Sequence, residues 1–308
     1  MGCRLLRKAL NDWYLRISES KKLELFEDSL SQLLHVFSLR IESPKIQFES
    51  ALLIFSIDVD VGNREIGVIN RGRNDSHVHD FYPESRVGEI EEQALPVIVD
   101  MFNDFKIPVT FAVRGQLTEV DDDSFISLLL NSPVKHDIGA HGYSHRKFSD
   151  MSHDEAESEL NKLSVGMKKF GIVPKSFVFP KQAVSHIDLL KKFGYECFRA
   201  EGRLLKDGMY IEEVEGLYDV HPSLLLTKNS KATILNKIVD IAVEKRAPLH
   251  FWFHPWEFGE TVAHIKRKIE DFFVPFLDHA KSREEIQELE FETMLSAARR
   301  ASRVFMDS

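Results

Sequence analysis

Apolar and polar residues alternate along most of this 308-residue chain in a pattern that predicts strands and helices in turn. Short apolar runs typical of buried strands occur at 51–57, 108–114, 136–140, 176–179, 195–199, 249–254 and 288–291. Helical periodicity fills 89–105, 124–131, 152–170, 185–193, 230–245, 261–281 and 293–305. Strands separated by helices over about 250 residues predict parallel strands in one α/β domain, either open or closed into a barrel.

Residues 4–39 have a different pattern, with apolar residues at helical spacing in two stretches separated by a polar turn. They predict two amphipathic helices, so we divide the chain into a helical extension over 1–49 and an α/β domain over 50–308. The first helix is basic, which would suit contact of residues 4–17 with an anionic membrane surface. Packing on the main domain or on a second subunit is the favoured alternative. The oligomeric state stays open, and a homo-oligomer is among the alternatives.

Composition excludes several classes of function. The formal net charge of −9 argues against nucleic acid as a partner, because proteins that bind it usually carry a basic face. Two cysteines are too few for a disulfide framework or a cysteine-rich zinc site. No apolar run reaches the roughly 20 residues of a transmembrane helix, and no hydrophobic signal core follows Met1. Together these features predict a cytoplasmic protein.

Polar side chains with metal-binding or acid–base chemistry stand where three of the apolar runs end. Asp58 and Asp60 end the first run, and two residues apart on an extended chain they would share one face. Two carboxylates this close ionise together only with a cation nearby. His141 and His145 follow the third run, and their four-residue spacing predicts one face of a helical turn. His254 ends the sixth run.

One carboxylate and two imidazoles form an open, catalytic type of site for a divalent ion. The sequence therefore predicts that one aspartate binds a metal and that the other stays nearby as a base. His254 lies in an apolar frame, where a histidine can be tuned to carry protons near neutral pH. His250 on the same run is a competing candidate, but His254 is nearer the C-terminal tip of the strand, where α/β barrels place their active sites.

These motifs, in this order, resemble those of the polysaccharide deacetylase superfamily (NodB homology, carbohydrate esterase family 4). The first motif is similar to a variant with one residue between the aspartates, and the third to the family's His-x-x-x-His motif. The matching segments in chain order are 53–60, 108–115, 137–145, 177–180 and His254. The resemblance covers about residues 50–300 and excludes the N-terminal helices.

The resemblance implies a deformed (β/α) barrel of about seven strands. It implies that Asp60, His141 and His145 bind the metal, that Asp58 is the general base and that His254 is the general acid. Zn²⁺ is the expected ion, and Co²⁺, Ni²⁺, Fe²⁺ or Mn²⁺ also suit such a ligand set. The implied reaction is removal of an N-acetyl group from an amino sugar.

The chain departs from the family pattern at the arginine that orients the base, because Val178 or its neighbours occupy that place. A carboxylate base needs a partner that fixes its rotamer and its pKa. Lys181, directly after Pro180, or Arg199, at the next strand end, could supply the cation.

Two further features are left open by the sequence. Asp219 is a candidate acidic partner for His254. Trp256, together with Trp252 and Phe258, could form an aromatic wall for a sugar ring.

Three functions remain as alternatives. The first is a metal-dependent deacetylase of a cytoplasmic glycan precursor, such as a nucleotide-linked or lipid-linked N-acetyl sugar. The second is a hydrolase of another amide, such as a cyclic ureide or imide, because the superfamily also resembles such enzymes. The third is a non-catalytic barrel that binds a metal or a glycan, an alternative that rests on the missing arginine.

Overall fold

The computed structural model describes residues 36, 39–40, 44–60, 84–119, 124–199, 208–258 and 261–306. Most of the two predicted N-terminal helices, with the proposed membrane-contact segment 4–17, lies outside the described residues. Residues 61–83, which follow Asp60, also lie outside the described residues. The division of the chain near residue 50 therefore stays a prediction.

Ten strands and eight α-helices lie in the described residues. The strands are β1 (Ala51–Val59), β2 (Thr110–Val113), β3 (Asp137–Ala140), β4 (Ser176–Val178), β5 (Cys197–Arg199), β6 (Ile211–Val214), β7 (Leu217–Val220), β8 (Leu224–Leu225), β9 (Pro248–Phe253) and β10 (Leu289–Glu292). The helices are α1 (Glu84–Asp104), α2 (Ser124–Leu130), α3 (His153–Lys168), α4 (Ile187–Lys192), α5 (Ala232–Lys245), α6 (Val262–Lys268), α7 (Val274–Glu285) and α8 (Met294–Met306).

All seven predicted strands are present, and the expected number is too low because β6, β7 and β8 were missed. β8 has only two residues, and β6 and β7 contain acidic residues, so these three strands lack the continuous apolar run that marks the others. The single helix predicted over 261–281 is instead α6 and α7 joined by a π-helical turn at Ile269–Phe273. α3 begins with a complete capping box between Ser152 and Glu155.

The strands form one curled sheet in the order β6-β7-β5-β4-β3-β2-β1-β9-β8, and β10 also pairs with β1. The pairs are parallel except for the β6–β7 hairpin. The predicted α/β fold is therefore confirmed. β1 lies at the centre: β9 runs along one edge, and the other edge is shared by β10 near the start of β1 and by β2 near its end.

Alternate residues of β1 face two different environments, because successive side chains of a strand point to opposite sides. Leu53, Phe55, Ile57 and Val59 join the large core between the sheet and the helices. On the other, inner face, Leu52 and Ile54 pack in a smaller cluster with the apolar stripe of α8. Ser56 and Asp58 follow on that same inner face, so it changes from apolar to polar toward the end of the strand.

α8 is fastened to the sheet through a buried carboxylate. The backbone N–H of Met294, at the start of α8, donates to Thr110 Oγ1 at 2.8 Å. The hydroxyls of Thr110 and Ser176 donate to Asp137 Oδ2 at 3.0 and 2.6 Å. These bonds tie α8 to β2, β3 and β4 at the strand starts, so the opposite, C-terminal edge of the sheet remains for the polar side chains.

Candidate active site

Asp58 is the centre of the site. It lies at the end of β1 with 2% of its surface exposed. Its Oδ2 accepts a hydrogen bond from Arg199 Nη2 at 2.6 Å, and it lies 3.6 Å from His254 Nε2 and 3.9 Å from His141 Nε2. Burial raises the pKa of Asp58, but the positive charge and hydrogen bond of Arg199, together with the nearby imidazoles, outweigh burial and hold the pKa well below its usual range. Asp58 is therefore ionised at neutral pH.

Asp60 lies beside His145 and is also held by an arginine that the sequence did not single out. Arg114 Nη1 donates to Asp60 Oδ1 at 2.9 Å, and His145 Nδ1 lies 3.6 Å from Oδ2. Gln116 Oε1 accepts from Nε and Nη2 of Arg114 at 3.1 and 2.6 Å, which fixes the guanidinium. The available signal was an arginine directly after the apolar run of β2.

The two histidines meet, but not on the helical turn that their spacing predicts. His141 follows β3, and residues 141–147 contain no helix. Gly142 has φ of +65° and His145 has φ of +60°, so the chain bends sharply and brings the two rings to 4.9 Å between centroids. A side chain at Gly142 would lie 2.7 Å from Pro180, which explains the glycine.

Hydrogen bonding determines the tautomer of His141. Its Nδ1 lies 2.9 Å from the carbonyl oxygen of Val178, and a carbonyl can only accept, so Nδ1 carries the proton. Nε2 then presents a lone pair toward Asp58. Among the described residues this buried Nε2 has no hydrogen-bond partner, and neither has Oδ1 of Asp58.

A buried glutamate on α3 supports the loop that carries His145. Glu159 Oε2 accepts from the backbone N–H of Ser144 at 2.9 Å and from its hydroxyl at 2.8 Å. Arg114 Nη2 also approaches the carbonyl oxygen of Ser144 at 3.4 Å. The residue next to His145 is therefore held from two elements. The sequence shows Glu159 only as one acidic position on an amphipathic helix.

No group of three or more His, Cys, Asp or Glu side chains among the described residues is close enough to hold an ion as placed. The donor set nevertheless fits one. Burial lowers the pKa of His141, and it lowers that of His145 to about 4, so both imidazoles are neutral at pH 7 and can bind a metal. The carboxylate of Asp60, the unpartnered Nε2 of His141 and the imidazole of His145 together have the chemistry of a divalent-metal site.

His254 has an acidic partner, but it is Glu257 and not Asp219. His254 Nδ1 lies 3.4 Å from Glu257 Oε1, whereas Asp219 Oδ2 lies 3.0 Å from Nδ1 of His221. Burial lowers the pKa of His254, but the neighbouring carboxylates of Glu257 and Asp58 outweigh burial and raise the pKa above its usual value. The sequence signal for Glu257 was its place one turn after the histidine.

The aromatic residues near His254 are packed inward. Trp256 stacks on the His254 ring with centroids 4.2 Å apart, and Trp252 stacks on the guanidinium of Arg199 at 4.4 Å. Phe258 packs against Phe253. The three proposed wall residues are 2–6% exposed, so they orient site residues and leave little surface for a sugar ring.

Of the two cations proposed for the base, Arg199 is the one that contacts Asp58. It pairs in register with Val178 on the neighbouring strand, so it stands one strand away from the expected arginine position. Lys181, after Pro180, has the left-handed φ of 54°, and its charge contributes to lowering the pKa of His145. Lys181 therefore acts electrostatically on His145.

Comparison with known proteins relates the central part of the chain to a known family. Residues 84–198 match the family model for polysaccharide deacetylase. The resemblance to the polysaccharide deacetylase family is confirmed. The matched segment includes both histidines of the loop and ends one residue before Arg199. A search of curated proteins finds no significant match to the chain.

Solved structures of polysaccharide deacetylases share the fold. A proposed polysaccharide deacetylase from Mycobacterium smegmatis is 15% identical with a TM-score of 0.62, covering 85% of this chain and 95% of its own. One from Pseudomonas aeruginosa PAO1 is 12% identical with a TM-score of 0.58, covering 82% and 91%. Puue allantoinase is 15% identical with a TM-score of 0.55, covering 80% and 89%. At these identities the likeness concerns the fold.

Proposed function

We propose that the protein is a metal-dependent hydrolase that removes an N-acetyl group from an amino sugar. One observation carries the proposal: an ionised carboxylate, an imidazole whose pKa is raised and a neutral imidazole with a free lone pair converge on one point. His254 Nε2 and His141 Nε2 lie 3.6 and 3.9 Å from the same oxygen of Asp58. The family match supports a deacetylase in particular.

Asp58 and His254 divide the proton transfers between them. Asp58, ionised, accepts a proton from the water that attacks the amide carbonyl carbon. His254, whose pKa is raised above its usual value, donates a proton from its charged form to the amide nitrogen as the C–N bond breaks. Acetate and a free amine leave, and the protons balance. Burial of Asp58 excludes bulk water from this carboxylate, which strengthens its interaction with the reacting atoms.

Asp60, His141 and His145 would hold the ion. Arg114 leaves Oδ2 of Asp60 facing His145, and the Val178 carbonyl turns the lone pair of His141 toward Asp58. When bound there, a divalent ion supplies a Lewis acid for the amide carbonyl. We expect Zn²⁺, with Co²⁺, Ni²⁺, Fe²⁺ and Mn²⁺ as alternatives for this ligand set.

For the substrate we propose an N-acetyl sugar carried on a nucleotide or on a lipid. No helix among the described residues is long and apolar enough to cross a membrane. A lipid-linked substrate would fit the predicted basic helix over residues 4–17. Sedimentation of the protein with anionic vesicles tests that part, and an absence of vesicle binding would argue for the nucleotide-linked form.

The test combines metal content with acetate release. We expect about one ion per chain by elemental mass spectrometry, lost in Asp60→Ala and His141→Ala and kept in His279→Ala, a control histidine paired with Asp240 on the helical layer. Acetate release from acetylated sugars should require the ion and should fall at least about 100-fold in Asp58→Asn. A wild-type protein that binds no ion from Zn²⁺ or Co²⁺ solutions would overturn the mechanism.

The same assay separates the alternatives. Because the fold is shared with an allantoinase, cyclic ureides and imides are the second set of substrates to test. Turnover of those rings without acetate release from sugars would assign the protein to the other amide class. Binding of ion and sugar with no turnover on either panel, unchanged by Asp58→Asn, would identify a binding module.

A further inference from the structure

A layer of buried polar side chains lies directly beneath Asp58. It consists of Ser56 on β1, Arg199 on β5 and His250 on β9, each at most 1% exposed. Arg199 is among the largest fully buried side chains of the described residues. Burying an arginine is costly unless its charge is paired and its N–H groups are bonded, so this layer needs a physical explanation.

The direction of each hydrogen bond in the layer follows from its partners. His250 Nδ1 lies 2.9 Å from the carbonyl oxygen of Val220 and must donate to it, so Nε2 is an acceptor. Ser56 lies 2.7 Å from that Nε2 and donates its only hydroxyl proton there. The lone pairs of Ser56 Oγ are thereby left to accept from Arg199 Nη1 at 2.8 Å. Burial lowers the pKa of His250 to about 3, which agrees with a neutral acceptor.

The chain of bonds ends on the base. Arg199 Nη2 donates to Asp58 Oδ2 at 2.6 Å, while the guanidinium face rests on Trp252. Two of its N–H groups therefore point to two different residues of β1, and its plane is fixed by stacking. A free arginine side chain has many rotamers, and this arrangement selects one of them.

We propose that Ser56 and His250 are positioning residues that act through Arg199 to set the orientation of Asp58. The proposal rests on the proposed hydrolase function, in which Asp58 accepts the proton. His250 fixes the hydroxyl of Ser56, the hydroxyl fixes the guanidinium, and the guanidinium fixes the carboxylate. Neither Ser56 nor His250 touches the reacting atoms. His250 thus supports the chemistry from one layer below the site, and His254 takes part in it directly.

Kinetics of single and double variants test the order of action. We expect Ser56→Ala and His250→Leu each to lower kcat about 10- to 100-fold with KM little changed, the usual cost of losing a residue that orients a reacting group. His250→Gln keeps an acceptor for the hydroxyl and should recover most of kcat. Ser176→Ala, a buried serine on β4 bonded to Asp137, is the matched control and should keep wild-type kcat.

The decisive comparison is made in the Arg199→Ala background. If Ser56 and His250 act through Arg199, their substitution in this background lowers kcat no further, because their effect on Asp58 is already lost with the arginine. Full additivity would overturn the proposal. So would single variants whose thermal stability falls while kcat stays at the wild-type value.

A second readout does not depend on turnover. In the full-length protein with ¹⁵N-labelled arginine, the Arg199 guanidinium N–H groups should exchange slowly with water and give resolved signals. Ser56→Ala and His250→Leu should speed that exchange at least about tenfold, because Nη1 loses its fixed acceptor. Unchanged exchange would refute the positioning chain. A protein that hydrolyses no substrate but shows this change would refute the proposed function and leave the positioning chain standing.

Discussion

Glu159→Ala is the substitution whose effect follows most directly from the structure. The carboxylate accepts two hydrogen bonds from Ser144, at 2.9 and 2.8 Å, and is 7% exposed. Hydrogen bonds to charged groups contribute about 1.5–3 kcal/mol each, and relief from burying the charge offsets part of that sum. We therefore expect the free energy of unfolding to fall by about 3 kcal/mol. Metal affinity should also fall, by roughly tenfold or more, because the adjacent His145 loses its support.

The assay is urea unfolding together with metal binding in competition with a chelator. Glu157, two residues earlier on α3, is the matched control, because it makes an exposed ion pair with Lys192 worth about 0–1 kcal/mol. Glu159→Gln keeps a carbonyl oxygen that can accept both bonds and should retain most of the stability. If Glu159→Ala costs no more than Glu157→Ala, or binds the ion as tightly as wild type, the reasoning is refuted.

Three other predictions follow. Glu257 helps raise the pKa of His254, which must be protonated to donate, so activity is lost as pH rises through that pKa. Glu257→Gln should therefore move the alkaline limb of the kcat profile to lower pH. An unmoved limb would exclude an effect of Glu257 on His254. Gly166→Ala places a Cβ 2.0 Å from Thr118 Oγ1, so the free energy of unfolding in urea should fall by about 1–3 kcal/mol. Adding Thr118→Ala should recover part of that loss, and wild-type stability of Gly166→Ala alone would contradict the contact. Arg114→Met should weaken metal binding about 10- to 100-fold in chelator competition, and wild-type affinity would show that the ligand carboxylate needs no such support.

The residues at the centre of the site could be predicted because each one ends an apolar run. Asp58, His141 and His254 follow strands of one parallel sheet, and the C-terminal ends of parallel strands meet at one edge. Alternation along β1 also predicted that both aspartates would face one side. Spacing along the chain was enough for these residues, since the strands themselves bring them together.

The supporting residues could not be found in the same way. Glu159 on its helix contacts the backbone of Ser144, and Glu257 on its turn contacts the ring of His254. Local periodicity predicts neither contact. The spacing of His141 and His145 suggested a helical turn, but the left-handed backbone at Gly142 bends the chain instead. The glycine was the better signal. Arg199 was a candidate among two, and only the register of β4 and β5 shows why it reaches the base.

The position of β1 has a consequence for how the protein opens. Its backbone is paired along both edges, by β9 on one side and by β10 and β2 in succession on the other. Because both edges are paired, the amide hydrogens in the middle of this strand should exchange with water among the slowest in the domain, and their exchange should report global unfolding. Asp58 and Asp60 stand just beyond the segment that is paired on both edges, so their backbone continues directly from the most cooperative part of the structure. Destabilising changes elsewhere should shorten the lifetime of the folded state before they loosen the geometry of the site.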